Sequence, residues 1–198
     1  MKSQTVLDFI NKVEFCGAIV HKYRADNWLV VTLAVSVTSG TKDHPKVYWY
    51  DDMVDQIDES YQVGDRVEIV GRLRTSKAYP ATSIIGETIT PTAGWFDAKF
   101  NQSGEYKPDH NEVLLKGTFV RAYIPPQPEL TIITLKIVMD GYIYFPQVSC
   151  FGRHAIKAAE LKEEDTVCIV ARIQTKKRDT EEGPQYYQTV VCRNMRVL

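Results

Sequence analysis

The chain has 198 residues, 24 Lys and Arg against 25 Asp and Glu for a net charge of −1, and 44% hydrophobic residues. That apolar content suffices for one large packed core or two small ones, and no stretch approaches the roughly 18 apolar residues of a membrane span. A near-zero charge neither demands nor excludes a polyanionic partner, because charge can be segregated by face.

The opening "MKSQTVLDFINK" has no long apolar core and no small-residue cleavage site, so secretion is not expected and the cytoplasm is the expected compartment. Strand pattern begins at "NKVEFCGAIV", where Val13, Phe15 and Gly17 share one face. From Trp28 to Val37 the period is two. Leu29, Val31, Leu33, Val35 and Val37 point to a core, while Trp28, Val30, Thr32, Ala34 and Ser36 point away from it. "KVYWY" supplies a third strand and "MVDQIDESY" a short acidic amphipathic helix. "VEIVGRLRTSK" and "ATSIIGETI" complete the set. A polar, turn-rich stretch, "GWFDAKFNQSGEYKPDH", then reads as a linker.

After it the same phrases return. "NEVLLKGTFV" repeats the first strand 100 residues on, with Asn, Val, Gly and Val kept. "TLKIVM" repeats "TLAVSV", "FPQVSCF" stands where a third strand belongs, and "AIKAAELKEED" is a second amphipathic segment. "VCIVARIQTKK" shares six of eleven positions with "VEIVGRLRTSK", and "QYYQTVVCRNMRVL" closes the chain. Blocks in one order with loops of differing length indicate duplication. Five strands with a short helix between the third and fourth is the order of an OB barrel. The expected fold is therefore all-β with short helices, two tandem five-stranded OB-fold barrels: residues 1–95, a linker over 96–109, and 110–198. Gly17 and Gly117 suit a strand bending sharply round a small barrel. Cys16, Cys150, Cys168 and Cys192 form no CxxC pair and sit in apolar strands, so reduced core thiols are expected.

"NKVEFCGAIV", "LVVTLAVS" and above all "GDRVEIVGRLRT" (Gly64 to Thr75) resemble the bacterial single-stranded DNA-binding protein family, and "FPQVSCFGRHA" resembles its third strand. The resemblance covers most of each half. It implies sequence-tolerant binding of single-stranded DNA in replication, recombination or repair, without catalysis. It also implies a homodimer presenting four barrels, since members with one barrel per chain form tetramers; Trp28 and Val30 are expected to supply interface area. The chain closes at "VVCRNMRVL" on a strand, so no acidic C-terminal recruitment tail is expected, which favours a version carried by a phage, plasmid or other mobile element.

Residue chemistry leads to the same class of ligand. Every base has a π-face, so exposed rings bind single strands whatever their sequence, and Lys and Arg between them track the phosphates. In "FPQVSCF", Pro146, Val148 and Cys150 fill the core side, so Phe145 and Phe151 are expected outward with Arg153 beside them. Direct alignment of the copies puts Trp49 in the groove; a one-residue slip would instead expose Tyr48 and Tyr50. Trp28 lies on the outward face of the second strand. Basic candidates are Arg72, Arg74 and Lys77, with Tyr79, in the first copy, and Arg172, Lys176, Lys177 and Arg178, with Tyr186 and Tyr187, in the second. Lys22, Arg24, Arg121 and Lys136 are further backbone candidates. Because Asp51 and Asp52 align with Phe151 and Gly152 on a 100-residue offset, the second barrel is expected to bind more strongly.

No cofactor and no metal site are expected. The four His form no zinc pattern with the Cys. The acids of "DDMVDQID" are explained by helix capping and the helix dipole, and "SGTKDHPK" lacks phosphate-loop spacing. Two alternatives fit the same residues. One is a primosome-type accessory protein on this fold. The other is an OB assembly module burying Trp28, Trp49 and Phe151 against a protein partner.

Overall fold

The computed structural model describes residues 8–38, 40–75, 82–93, 108–127, 129–180 and 183–198. The first half runs β1 (Ile10–Ala25), β2 (Trp28–Thr38), β3 (Thr41–Asp43), β4 (Lys46–Tyr50), α1 (Met53–Ser60), β5 (Arg66–Arg74) and β6 (Ser83–Pro91). The second repeats it as β7 (His110–Tyr123), β8 (Leu130–Met139), β9 (Tyr142–Tyr144), β10 (Gln147–Phe151), α2 (Arg153–Ala159), β11 (Thr166–Thr180) and β12 (Gly183–Val197). Each helix falls between the third and fourth barrel strands, as the OB order requires. The sequence did not announce β3 and β9, short strands that extend β2 and β8 at the sheet edges.

Strand order is β3-β2-β4-β6-β5-β1-β7-β11-β12-β10-β8-β9, and the pairings β1–β2 and β7–β8 close each half into a barrel. Closure requires one long strand to serve two neighbours. β1 pairs with β5 from Val13 to Ala18 and with β2 from Ala18 onward, bulging between Ile19 and His21. At this changeover a Cβ on Gly17 would lie 2.4 Å from the Ala34 carbonyl oxygen, and one on Gly117 would lie 2.8 Å from that of Lys136. Only a hydrogen fits there, which is why both copies keep the glycine.

The alternating residues fill the barrels. Leu29, Val31, Leu33 and Val35 are fully buried, as are Val67, Ile69 and Leu73. Their counterparts Ile133, Leu135, Ile137, Val167 and Ile173 are equally enclosed. The repeated Asn has a structural task. Asn11 donates to the Leu73 carbonyl (2.8 Å) and accepts the Leu73 N–H (3.0 Å). Asn111 does the same to Ile173 at 2.8 and 2.9 Å. Each amide satisfies a backbone donor and acceptor inside the protein, where neither could be left unpaired cheaply. An Asp two places before each of the matched phrases recurs in the same role: Asp65 accepts the Gln62 N–H and Asp165 the Lys162 N–H.

The barrels join edge to edge. Ile10–Cys16 of β1 pairs antiparallel with Lys116–His110 of β7, making one continuous sheet. An approximate twofold relates the halves, and matched bonds brace them. The His44 N–H donates to Thr175 Oγ1 at 2.9 Å, and the Phe145 N–H donates to Thr75 Oγ1 at 2.7 Å. Gln188 further accepts the Lys46 N–H at 2.6 Å. Asp109, just before β7, accepts the Ser36 N–H at 2.7 Å and pairs with Arg66. Burial alone would push the Asp109 carboxyl up; the Ser36 backbone and hydroxyl and the Arg66 guanidinium outweigh it and hold the group below the usual range. Cys16, Cys150, Cys168 and Cys192 are free thiols. Among the described residues no helix is long and apolar enough to cross a membrane.

Candidate nucleic-acid interface

In antiparallel strands directly opposed residues share a face. On the outer side of the first barrel the register places Trp28 opposite Tyr50, Val30 opposite Tyr48, and Thr32 opposite Lys46. On the other flank of β2, Tyr23 stands opposite Val30 and His21 opposite Thr32. The rings of Tyr23, Trp28 and Tyr48 therefore form a row. Tyr23 and Trp28 have centroids 5.3 Å apart, and Trp28 and Tyr48 are 6.1 Å apart. Arg74 lies 5.9 Å over the Tyr50 ring and carries positive charge to the edge of the row. Burial pushes the Tyr48 phenol up, so it stays neutral at physiological pH. Tyr23 is 54% exposed, and Trp28, Tyr48 and Tyr50 are half-buried, which leaves ring surface open to solvent. Val30, expected to offer interface area, is 7% exposed and is covered within the chain.

Trp49 is a correction. It is 1% exposed and belongs to the core, opposite Leu29 on β2. A Cβ on Gly86 would lie 2.3 Å from its indole, so the glycine makes the slot the ring occupies. The direct alignment erred by one residue. In β4 and β10 the copies are offset by 101, matching "KVYWYDD" to "QVSCFGR": Val47 to Val148, Trp49 to Cys150, Tyr50 to Phe151. Asp51 and Gly152 then share one left-handed position, φ 55° and 54°. A one-residue shift exchanges the faces of a strand. Tyr48 and Tyr50 go outward, and Tyr23 on β1 joins them without having been singled out. The Val-to-Val match was the sequence signal that could have found the register. The same offset makes Tyr50 the counterpart of Phe151, so both copies keep a ring there, while the charge contrast of Asp51 and Asp52 against Gly152 and Arg153 remains.

The second barrel offers fewer rings on this face. Leu130 replaces Trp28 and Ser149 replaces Tyr48. Phe151 remains half-buried with the Lys176 ammonium 5.9 Å over its ring. Tyr123 and Tyr187 are 61% and 44% exposed. Phe145 precedes β10 and is half-buried, lining a cleft of about 750 Å³ with Phe9, Lys136 and Ile143. Arg121, Lys136 and Arg153 are exposed. Lys177 and Tyr186 face each other in β11 and β12, with side chains outside the described set; the side chain of Arg178 is likewise outside it, and Lys77 and Tyr79 lie outside the described residues.

Several cations expected to meet phosphate have protein partners. Arg172 bonds the buried Asp43 carboxylate at 3.0 Å, which also accepts from Thr175 N–H (3.2 Å) and Asn111 (3.3 Å). Arg72 lies 3.4 Å from Glu87 and 3.6 Å from Asp140. Their recurrence has a structural cause, since both stand between the barrels. Lys22 bonds the carbonyls of Asp58 and Tyr61, each at 2.7 Å, and pairs with the Asp58 carboxylate; Arg24 pairs with Asp55 and Asp58. Hydrogen bonding from Lys22, then Arg24, holds Asp58 below the usual carboxylate range. Asp52 makes no side-chain cap bond; Asp55 stands in the first turn of α1, where the helix dipole favours an acid, and these pairs hold Asp55 and Asp58.

Among the described residues one group brings possible metal ligands together. Glu14, His110 and Glu112 on the β1–β7 seam have ligand atoms within 4.8 Å of one another, and Lys12 pairs with Glu14.

No family model and no curated protein sequence matches the chain. Solved structures do. The wild-type single-stranded DNA-binding protein from Thermus aquaticus superposes with a TM-score of 0.66 at 16% identity, covering 96% of this chain and 93% of that one. A deletion mutant of the same protein gives 0.66 at 15% identity, covering 96% and 95%. A mitochondrial single-stranded DNA-binding protein from S. cerevisiae covers 44% of this chain, with a TM-score of 0.36 at 11% identity. The T. aquaticus likeness spans both barrels and is a likeness of fold.

Proposed function

We propose that this protein binds single-stranded DNA without regard to sequence, by stacking bases on the outer face of the first barrel and pairing phosphates with the cations at its edge. The observation that carries this reading is the row Tyr23–Trp28–Tyr48 on one sheet face, with Arg74 over Tyr50 where the row ends. Base–ring stacking contributes about 1–3 kcal/mol per base and tolerates any sequence. The fold supports the reading through T. aquaticus proteins whose name states the same ligand, although fold alone does not assign function. The second barrel, with Phe151 and Lys176, extends the same binding face more weakly. The reading includes two domains over 1–95 and 110–198, a role in protecting single strands during replication, recombination or repair, no catalysis, and a homodimer presenting four barrels.

The test is equilibrium binding to oligo(dT). Trp28→Ala should weaken it by about 1–3 kcal/mol, and duplex DNA should compete poorly because paired bases hide their faces. Failure of the protein to bind any single strand would reject the reading and favour a protein-assembly module. Light scattering at twice 22.6 kDa checks the dimer; a concentration-independent monomer rejects it.

A further inference from the structure

The approximate twofold creates two clefts between the barrels, and they are not alike. One, of about 600 Å³, is lined by Arg72, Thr75, Tyr142, Tyr144 and Asp51 and borders Tyr50 and Arg74. Its twin, of about 440 Å³, is lined by Arg172, Arg193, Thr175, Thr41, Lys42 and Asp43. β9 and β3 hold equivalent places, each pairing with the end of the second strand of its barrel. Tyr142, Ile143 and Tyr144 in one therefore stand where Thr41, Lys42 and Asp43 stand in the other.

That exchange changes what each cleft can bind. In the twin, the buried Asp43 carboxylate sits on Arg172 at 3.0 Å. That guanidinium is neutralised, and although Lys42 and Arg193 bring exposed charge to the twin, no aromatic side chain is among its described lining residues for a base to stack on. In the first cleft Tyr144 takes the place of Asp43, and the carboxylate in its lining, Asp51, is exposed rather than buried against the arginine. Arg72 has longer contacts, 3.4 and 3.6 Å, to Glu87 and Asp140, whose side chains are 43% and 69% exposed. Such exposed pairs are weak and easily exchanged for phosphate. Tyr142 is 65% exposed, and its ring centre is 6.5 Å from that of Tyr144. The hairpin that presents it turns through Asp140 and Gly141, both at positive φ, 53° and 77°, the two-residue turn that matches strand twist.

We propose that this cleft is the crossing site at which a single strand passes from the first barrel to the second, with Tyr142 as a stacking contact and Arg72 and Arg74 as its phosphate partners. The proposal rests on the single-strand reading above. The strand leaves the ring row at Tyr50 and Arg74, enters directly beside them, and meets the rings of the β8–β9 hairpin. The twin cleft, with no ring among its described lining residues, offers no stacking contact, so the path over the molecule has one route and not two.

Binding of the full chain to two oligo(dT) lengths tests this. One barrel covers about 4–16 nucleotides, so an oligomer of about 8 is confined to one barrel and one of about 30 can span both. Tyr142→Ala should weaken the long oligomer roughly tenfold and leave the short one unchanged, while Lys42→Ala in the twin cleft changes neither. Tyr142→Leu, which keeps apolar bulk without the ring, should behave as Tyr142→Ala does. Undiminished long-oligomer affinity in both Tyr142 variants would overturn the proposal. So would an equal loss at both lengths, or a loss in Lys42→Ala matching that of Tyr142→Ala. Wild-type protein that binds neither oligomer would instead reject the underlying single-strand reading.

Discussion

Two tryptophans 21 positions apart do opposite work, and their surroundings decide which. Trp49 is enclosed at 1% exposure in a slot left by Gly86. Trp28 lies half-open between Tyr23 and Tyr48. Trp49→Ala should therefore cost about 3–5 kcal/mol of stability in denaturant unfolding, the range for a large aromatic removed from a core. Trp28→Ala should leave the unfolding curve near that of the wild type and act on DNA binding. The arginines divide in the same way. Arg74→Ala should flatten the dependence of log affinity on log salt by roughly 0.7, the share of one neutralised phosphate on a single strand. Arg172→Ala should leave that slope unchanged and lower stability by on the order of 3 kcal/mol, because Asp43 stays behind as a buried carboxylate. A salt slope altered by Arg172→Ala and not by Arg74→Ala would reverse this division.

At the scale of elements, the strands were legible and one register was not. Alternation in Trp28–Val37 and the repeated "VEIVGRLRT" and "VCIVARIQT" phrases are strong signals, because several core positions recur in each with period two. β4 has only five residues, Lys46–Tyr50, with apolar or aromatic side chains at four of them, so its pattern fits either face. The pairing to β2 decides the matter, since Leu29 and Val31 must meet their partners inside. β3 and β9 have three residues each and leave no periodic trace. The role of Arg72 and Arg172 was hidden for another reason. Their partners Asp140 and Asp43 lie in the opposite barrel, far away in sequence. Asp109 makes the element scale measurable. It ties β2 and β5 to the start of β7, and its carboxyl is held below the usual range. A depressed folded value means the stabilisation is present above the unfolded value, about 3.9, and is lost as pH falls through the folded one. Thermal melts should be flat down to about pH 4 and decline below it, and Asp109→Asn should lower stability at neutral pH while shrinking that acid decline. An acid profile unchanged by Asp109→Asn would assign the decline to other carboxylates.

For the whole molecule, the two halves share a scaffold and differ on their outer faces. The scaffold stays symmetric in Asn11 and Asn111, Gly17 and Gly117, and Thr75 and Thr175. The ring face does not: Trp28 and Tyr48 of the first barrel become Leu130 and Ser149 in the second. The first barrel should thus carry the greater share of binding, and in the full chain Trp28→Ala should cost more affinity for oligo(dT) than Phe151→Ala. The central claim, that bases stack on this ring row, is tested most directly by tryptophan fluorescence during titration with oligo(dT). The row predicts quenching in the wild type, and a large loss of that quenching in Trp28→Phe even at oligomer concentrations that a labelled-DNA assay shows to be saturating. Quenching that persists undiminished in Trp28→Phe, or saturation by DNA with no quenching in the wild type, would contradict it.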